Sequence, residues 1–318
     1  MELGVALPNG GATVLTEDLV RLATGAEAAG LDSVWVMDRW LRPRHPVEMP
    51  GVPVPVEMPA DGYACVFDPI DVLAHLAALT TRLRLGTSAV QALLQPPVLL
   101  ARRLATVDQL SRGRVVAGLA AGWMREEFAA AGRSPANGHR LDAHLAALRS
   151  AWGPDPVEVT CDRYPVPPSD VGPKPFGRAA IPVLLGYAAA AGIRRAARIA
   201  DGLHPYRTDA DQLAADIALF RSAAAEAGRD PATLPVVLRG DAVLDPAAGR
   251  DRPLFRGTVV QWAEDAARVA DLGVGQLVLQ VDATVEATLS ALEDLRSRLP
   301  TAGPCPARST APTRASHM

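Results

Sequence analysis

Short apolar runs alternate with longer stretches of helical periodicity along most of the chain. The clearest case lies between residues 82 and 128, where RLRLGTSAV, a helical segment containing PPVLLARRLATVDQL, and VAGLAAGWMREEF follow one another. Both apolar runs are unbroken, whereas a strand with one exposed face would alternate apolar and polar residues. This pattern predicts two parallel strands, buried on both faces and connected by a helix.

The same alternation occurs eight times. Strands are predicted at 3–7, 33–37, 84–88, 181–185, 201–204, 235–243 and 276–281, together with the run that ends at 120–123, and a helical pattern follows each strand. A doubly wound sheet would place a glycine-rich dinucleotide-binding turn after its first strand, and PNGG at 8–11 is not such a turn. We therefore predict an α/β fold of the TIM type, a single (β/α)8 barrel over residues 1–300.

Two proline-rich segments interrupt this order. Residues 41–66 and 153–180 follow the second and fourth strands and show no period of 2 or 3.6. Loops of this length are usually functional lids or disordered, and the sequence leaves both alternatives open for residues 41–66. We expect both insertions to shape a substrate pocket. The small, polar residues 301–318 predict a disordered tail.

Composition argues against several classes of protein. The net charge of -3 at pH 7 does not suit a nucleic-acid surface. The sequence has neither an apolar run of about 18 residues nor a basic region before its first apolar segment, so we expect a cytoplasmic protein without a membrane span or signal peptide. Cys65, Cys161 and Cys305 are widely spaced and odd in number, and the histidines lack ligand spacing, so no metal site is predicted.

Small residues follow two neighbouring strands of the predicted barrel. These segments are GTSA at 86–89 and AAGW at 120–123. Ligands of parallel α/β folds bind at the carboxyl ends of the strands. Small side chains at these positions allow either a ligand to approach the backbone or the strands and helices to pack closely. The residues alone leave both interpretations open.

A third strand end carries a candidate anion site. Gly186, Tyr187 and Ala188 precede the start of a helix. The free backbone N–H groups of a helix N-terminus and the helix dipole favour an anion there. His204, Arg239 and Asp241 lie at or near other strand ends, and we interpret His204 chiefly as a hydrogen-bonded structural histidine.

An ordered set of segments resembles a known family. The set comprises LGVALP, AGLDSVWVMDRW, RLRLGTSAV, PPVLLARRLATVDQLSRGRV, PVLLG, RIADGLHP and GTVVQWAEDAARVADLGVGQLVL. Together these segments are similar to the luciferase-like monooxygenase superfamily, and more closely to its coenzyme F420-dependent oxidoreductases. The resemblance extends over nearly the whole predicted barrel and implies the same (β/α)8 fold with insertions.

The resemblance implies how a cofactor is bound. The deazaflavin or flavin ring is expected to rest on Thr87, Ser88 and Ala89, with a cis peptide bond between Ser88 and Ala89. Asp38 matches an acid that hydrogen-bonds the ring. Ala121 and Gly122 are expected beside the ring at the neighbouring strand end.

The loop that contains Gly186, Tyr187 and Ala188 corresponds to the one that holds the cofactor phosphate in the family. Tyr187 replaces the usual second glycine, which predicts a stiffer loop.

Two further positions depart from the family pattern. Arg39 stands where histidine is common, and an arginine does not release its proton at neutral pH. The resemblance leaves it the role of holding an anionic substrate group or stabilising an oxyanion, with a surface pair to Asp38 or another acid as the alternative. Trp123 replaces a glutamate of sugar-phosphate-oxidising relatives, which favours an aromatic wall or core packing. Glu127, on the following helix, is predicted to be solvated, as most such charges are.

Three functions are compatible with this resemblance. The leading hypothesis is an oxidoreductase that transfers a hydride between F420 and a small organic substrate. The second is an FMN-dependent monooxygenase that receives reduced flavin from a partner reductase and activates oxygen. The third is a non-catalytic barrel that binds the cofactor, motivated by Arg39 and Trp123. Family members are often dimers, so a homodimer is expected.

Overall fold

Eight parallel strands form the wall of a barrel in the computed structural model, which describes residues 1–135 and 138–300. The strands coincide with the predicted ones to within a few residues at either end. Their bounds are β1 Glu2–Ala6, β2 Ser33–Val36, β3 Arg84–Thr87, β4 Val115–Ala120, β5 Val183–Leu185, β6 Gly202–Leu203, β7 Val237–Leu244 and β8 Gln276–Val281.

The strands follow one another around the ring in chain order. Regular parallel pairing connects β1 through β6, and β1 also pairs with β8, which pairs with β7. Between β6 and β7, the Leu203 backbone N–H donates to the Pro235 carbonyl at 2.9 Å and Arg239 N–H donates to the Pro205 carbonyl at 2.9 Å. These bonds close the ring, so no barrel strand is left with an open edge. The predicted (β/α)8 barrel is confirmed.

A helix follows each strand and covers the outside of the barrel. The helices are α1 Thr16–Ala28, α2 Pro69–Leu79, α3 Pro97–Ser111, α4 Gly138–Trp152, α5 Ala190–Ile199, α6 Ala210–Glu226, α7 Val259–Asp271 and α8 Val285–Arg298. Local capping fixes several starts. In α2, for example, the Asp68 carboxylate accepts hydrogen bonds from the backbone N–H groups of Ile70 and Asp71, at 2.9 and 3.2 Å.

Trp35 of β2 fills part of the barrel interior and explains one of the small residues. A Cβ atom added to Gly86 of β3 would lie 2.3 Å from the Trp35 ring. The indole N–H donates to Ser33 Oγ at 2.8 Å, which fixes the ring in this position. At Gly86 the small side chain therefore serves the packing of two neighbouring strands.

The two insertions lie at different places. Within 41–66, Val47 and Val56 form a bridge, Ala60–Tyr63 is a short helix, and Cys65–Val66 pairs antiparallel with Gly10–Gly11. Within 153–180, Val157–Val159 and Val166–Ser169 form a hairpin. The sequence left the first insertion either disordered or a lid, and in the structure it is folded against the barrel.

Candidate functional site

Three predicted strand ends converge at the carboxyl end of the barrel. Asp38 follows β2, and its Oδ2 accepts a hydrogen bond of 3.0 Å from the backbone N–H of Gln91, just after β3. Gly122 follows β4 with a φ of +86°, and a Cβ atom at this position would lie 3.3 Å from Gln91 Oε1. Asp38, Gln91 and Gly122 thus form one cluster, as expected for the ends of neighbouring parallel strands. The peptide bond between Ser88 and Ala89 is cis, which confirms that prediction.

Asp38 is a buried acid with an altered pKa. Burial raises the pKa of its carboxyl group to about 6, and the charges of Asp68 and Glu127 act in the same direction. The Gln91 N–H bond and the positive charge of Arg39 oppose this shift. The carboxyl group can therefore exchange a proton near neutral pH, which a solvated aspartate does not do.

The Gln91 side chain is the polar group at this site that sequence reasoning missed. Gln91 is 4% exposed, and neither its amide nitrogen nor its amide oxygen has a hydrogen-bond partner in the described part of the chain. Leaving a buried donor and acceptor unpaired is unfavourable by about 1–3 kcal/mol for each group. The amide is therefore suited to a ligand that presents both a donor and an acceptor. Its only sequence signal was its position two residues after the predicted cis peptide bond between Ser88 and Ala89.

Arg39 belongs to a buried ion pair. Its guanidinium donates to Glu127 Oε2 at 2.7 Å, and the other oxygen, Oε1, accepts from the Trp40 backbone N–H at 2.8 Å. The Glu127 side chain is fully buried and that of Arg39 is 11% exposed. The prediction that Glu127 is solvated is therefore wrong, because the segment that follows β2 brings Arg39 into contact with it. Of the two alternatives for Arg39, pairing with an acid is observed, but with Glu127 and in the interior.

Trp123 contacts the arginine of this ion pair with its ring. The Arg39 guanidinium carbon is 5.0 Å from the centre of the Trp123 ring. Trp123 also packs against a small apolar cluster of the first insertion, formed by Val47 and Met58 with Met124. The ring thus ties the insertion to the end of β4. Catalytic roles for Arg39 and Trp123 stay predictions.

His204 connects Ser88, just after β3, to Val237 of β7. Its Nδ1 lies 2.7 Å from the Val237 carbonyl and therefore carries the proton, so Nε2 accepts a hydrogen bond of 2.8 Å from the Ser88 hydroxyl. The ring also stacks on Trp35 at 5.1 Å. Burial lowers the His204 pKa to about 4, and the nearby charge of Arg239 adds to this effect. The interpretation of His204 as a hydrogen-bonded structural histidine agrees with these contacts.

A cavity of about 380 Å³ opens beside Ser88. This volume is within the range of small-molecule sites. The first insertion contributes Pro59, Asp61 and Tyr63 to its wall, and β7 and β8 contribute Arg239 and Gln280. The second insertion contributes none of the described lining residues. It borders instead a separate open groove of about 700 Å³ at the start of α3, and the expectation that both insertions shape a substrate pocket stays a prediction.

The predicted phosphate loop follows β5. Gly186 N–H donates to the Leu119 carbonyl of β4 at 2.9 Å, which places the loop beside the other strand ends. The Tyr187 hydroxyl donates to Asp216 of α6 at 2.6 Å, and Arg207 donates to the same oxygen at 2.7 Å. Burial, with the bond to Asp216, raises the Tyr187 pKa above its usual value. Tyr187 is thus held by α6, and exposed Ala188 leads into α5.

The described residues contain neither a membrane-spanning helix nor a cluster of metal ligands. None of the helices is long and apolar enough to cross a membrane. Within residues 1–135 and 138–300, no group of three or more His, Cys, Asp or Glu side chains is arranged to hold a metal ion.

Comparison with known proteins gives two kinds of relative. Residues 1–280 match the family model described as luciferase-like monooxygenase. An uncharacterized protein of Mycobacterium tuberculosis is 34% identical over 180 residues, which are 54% of this chain and 61% of that protein. An F420-dependent glucose-6-phosphate dehydrogenase of Amycolatopsis mediterranei is 31% identical over 186 residues, 55% of this chain and 51% of that protein. The chain thus matches only part of the length of these curated relatives.

Solved structures give the same fold at low sequence identity. The F420-dependent secondary alcohol dehydrogenase in complex with an F420-acetone adduct superposes with a TM-score of 0.75 at 17% identity, over 93% of this chain and 98% of that one. The monooxygenase RslO1 from Streptomyces bottropensis superposes with a TM-score of 0.74 at 20% identity, over 92% of this chain and 98% of that one. The fold is therefore shared by an F420-dependent dehydrogenase and by a monooxygenase.

Proposed function

The chain belongs to the luciferase-like monooxygenase family, and from this membership we propose that it is an oxidoreductase that transfers a hydride between coenzyme F420 and a small organic substrate. The family comprises oxidoreductases and monooxygenases, and its known cofactors are deazaflavins and flavins. When bound, the deazaflavin supplies the hydride chemistry, whereas the protein supplies orientation and electrostatics.

The buried Gln91 amide carries this proposal. The pyrimidine part of a flavin or deazaflavin ring presents carbonyl and N–H groups side by side, which match an amide that lacks both partners. Asp38 adds a carboxyl group that accepts a hydrogen bond when ionised and donates one when protonated. Ser88, Ala89, Ala121 and Gly122 have small or no side chains. These residues fit the ring.

Ser88 contributes an oriented hydroxyl group. Its proton is directed to His204 Nε2, so the Ser88 oxygen is left to accept a hydrogen bond from a ligand. His204 stays neutral over the physiological range, because its pKa is about 4. In this proposal His204 holds Ser88 in position, and the Ser88 oxygen accepts a hydrogen bond from the cofactor or the substrate.

The loop of Gly186, Tyr187 and Ala188 is proposed to bind the cofactor phosphate. Its backbone N–H groups lie at the positive end of the α5 dipole. The Arg207 guanidinium carbon lies 5.1 Å from the Tyr187 ring centre, but its charge is balanced by Asp216 at 2.7 Å, so the helix N-terminus is the basis of this assignment.

The test is a titration of the purified protein with F420 and with FMN, followed by absorbance or fluorescence at one salt concentration. We expect tight binding of F420 and much weaker binding of FMN. The Gln91→Leu variant should bind the preferred ring about tenfold more weakly, since one charge-free hydrogen-bonding group is worth about 1 kcal/mol or more. Gln212→Leu, at an exposed position of α6, is the matched control.

The alternative is an FMN-dependent monooxygenase, and a relative supports it. The pyrimidine monooxygenase RutA of Variovorax paradoxus is 32% identical over 136 residues, 41% of this chain and 36% of that protein. Preferential binding of FMN would favour this alternative, with a partner reductase as the source of reduced flavin. Binding of either ring without turnover of any substrate would favour a non-catalytic barrel, and binding of neither would overturn the proposal. The cytoplasmic location and the homodimer stay predictions.

A further inference from the structure

Two arginines at the mouth of the barrel differ in how their charge is balanced. Arg39 forms an ion pair with the fully buried Glu127 at 2.7 Å. Its positive charge is thereby neutralised within the protein, and a second anion would have to compete with a fixed carboxylate. Arg39 is therefore poorly suited to the substrate-binding role that the family resemblance implies.

Arg239 of β7 has no such partner. One terminal nitrogen lies 3.4 Å from the Ser88 carbonyl oxygen, and the other contacts the side-chain oxygen of Gln280. Its Nε is buried and lacks a hydrogen-bond partner among the described residues. Asp241, two residues further along the strand, is engaged by the Tyr206 hydroxyl at 2.6 Å. Across residues 1–135 and 138–300, no carboxylate oxygen lies within 4.0 Å of the Arg239 guanidinium.

An unbalanced guanidinium on the wall of a cavity favours an anionic ligand. Arginine stays charged at any relevant pH, and a partly desolvated charge without a counter-charge is unfavourable. Arg239 borders the cavity of about 380 Å³ together with Ser88 and Gln280. A carboxylate can satisfy two N–H groups of one guanidinium at once, with strong, charge-assisted hydrogen bonds.

We propose that Arg239 is the residue that selects the substrate, and that the substrate is a small organic acid whose carboxylate binds to its guanidinium. This inference rests on the proposed function, because it assigns the substrate class of the same site. Two acids, Asp18 and Asp61, also border the cavity. Asp18 is paired with Arg21 at 3.3 Å and Asp61 is exposed. They disfavour a second negative charge on the substrate, so a monocarboxylate is the class that fits.

The cofactor ring is the other possible source of an anion, because reduced flavins and deazaflavins carry a negative charge on the ring. The substrate is favoured since the unpaired Gln91 amide and Asp38 provide the polar contacts for the ring. Arg239 instead contacts the Ser88 carbonyl oxygen and the Gln280 side chain of β8. The experiment separates these two sources.

The first measurement uses the full-length protein without cofactor. Benzoate and its neutral counterpart benzamide are titrated by calorimetry at low salt into the wild type, Arg239→Gln, Arg239→Lys and Arg268→Gln. Arg268 is an exposed residue of α7, and its substitution changes the net charge by the same amount. The second measurement titrates oxidised and reduced F420 and FMN into the same four proteins.

We expect the wild type and Arg268→Gln to bind benzoate about tenfold or more tightly than benzamide. Arg239→Gln should lose this preference, whereas Arg239→Lys should keep part of it, and all four proteins should bind the oxidised cofactor equally. The inference is overturned if wild-type protein does not prefer benzoate, or if Arg239→Gln keeps the preference. It is also overturned if Arg239→Gln weakens only the binding of the reduced cofactor, because Arg239 would then bind the negatively charged ring. If the wild type binds neither F420 nor FMN, the proposed function is refuted. The benzoate measurement is made without cofactor, so its result is independent of that outcome.

Discussion

Single residues at the barrel mouth combine burial with charge. Asp38 and Arg39 follow β2, Glu127 lies on the short helix Arg125–Ala130 after β4, and all three side chains are largely buried. Buried charges are costly unless they are paired, or unless they take up or release a proton. Arg39 and Glu127 are paired with each other, whereas Asp38 can take up a proton, so their substitutions should have different effects.

Asp38 should make the protein less stable at neutral pH than at mildly acidic pH. Its pKa is 3.8 in the unfolded chain and about 6 in the folded protein, so between these values the folded state keeps a proton that the unfolded state has released. The contribution of Asp38 to stability therefore falls as the pH rises from about 4 to 6 and is constant above that. Asp38→Asn removes this effect and should raise the free energy of unfolding at pH 7.5 by up to about 3 kcal/mol.

Urea unfolding of the wild type and Asp38→Asn at pH 3 and at pH 7.5 checks this expectation. At pH 3 the Asp38 carboxyl group is mostly protonated in both the folded and the unfolded protein. An equal difference between the two proteins at both pH values would contradict it. The same variant should also bind the cofactor ring more weakly.

Glu127 and Glu126 are adjacent acids with opposite environments. Glu127→Gln leaves the buried charge of Arg39 unbalanced and should lower the free energy of unfolding by about 3 kcal/mol. Glu126→Gln removes only a partly exposed contact of 3.2 Å to His45 and should change it by less than about 0.5 kcal/mol. Denaturant unfolding of both variants measures the difference, and similar values for the two would refute the buried pair.

At the scale of elements, the contact between β3 and β4 determines the shape of the site. A Cβ atom at Gly118 of β4 would lie 1.8 Å from the Thr87 carbonyl oxygen, and the Thr87 hydroxyl donates to the Gly118 carbonyl at 2.7 Å. Only glycine allows the two strand ends to approach this closely. The position of Ser88 and Ala89, directly after Thr87, thus depends on Gly118 of the neighbouring strand.

Gly118→Ala should therefore separate the ends of β3 and β4. The obstructing atom belongs to the backbone and cannot rotate away, so we expect a loss of stability of about 3 kcal/mol or more and a loss of cofactor binding. Gly249→Ala is the control, because nothing lies within 4 Å of a Cβ atom there. Thermal unfolding of the two variants makes the comparison, and near-equal melting temperatures would argue against the close approach.

For the whole molecule, closure of the ring makes the terminal strands depend on each other. β1 lies between β2 and β8, so the first strand of the chain pairs directly with the last. Each strand is held from both sides, and a break in one exposes the edges of its neighbours. We therefore expect the barrel to unfold as one unit.

Val5→Pro tests this dependence. Val5 pairs with Leu279 on one side and Val34 on the other, and proline removes its backbone N–H. We expect the loss of the whole far-ultraviolet circular dichroism signal, or a single transition at much lower denaturant concentration. Val54→Pro, at a loop position that is 63% exposed, is the control and should leave the transition nearly unchanged. A variant that loses only part of the signal would show that the barrel halves fold separately.

The sequence alone determined the elements and the barrel, because apolar periodicity is a local property of the chain. The family followed from the resemblance of an ordered set of segments to known proteins. The sequence also placed Asp38, Ser88 and Gly122 at the mouth, since the ends of parallel strands lie at one end of a barrel. Only the tertiary structure decided how side chains pair. Glu127 is buried because Arg39 reaches it from 88 residues away, and Ser88 is oriented by His204 across 116 residues. Periodicity carries no information on such contacts, because the closed ring alone brings these distant residues together.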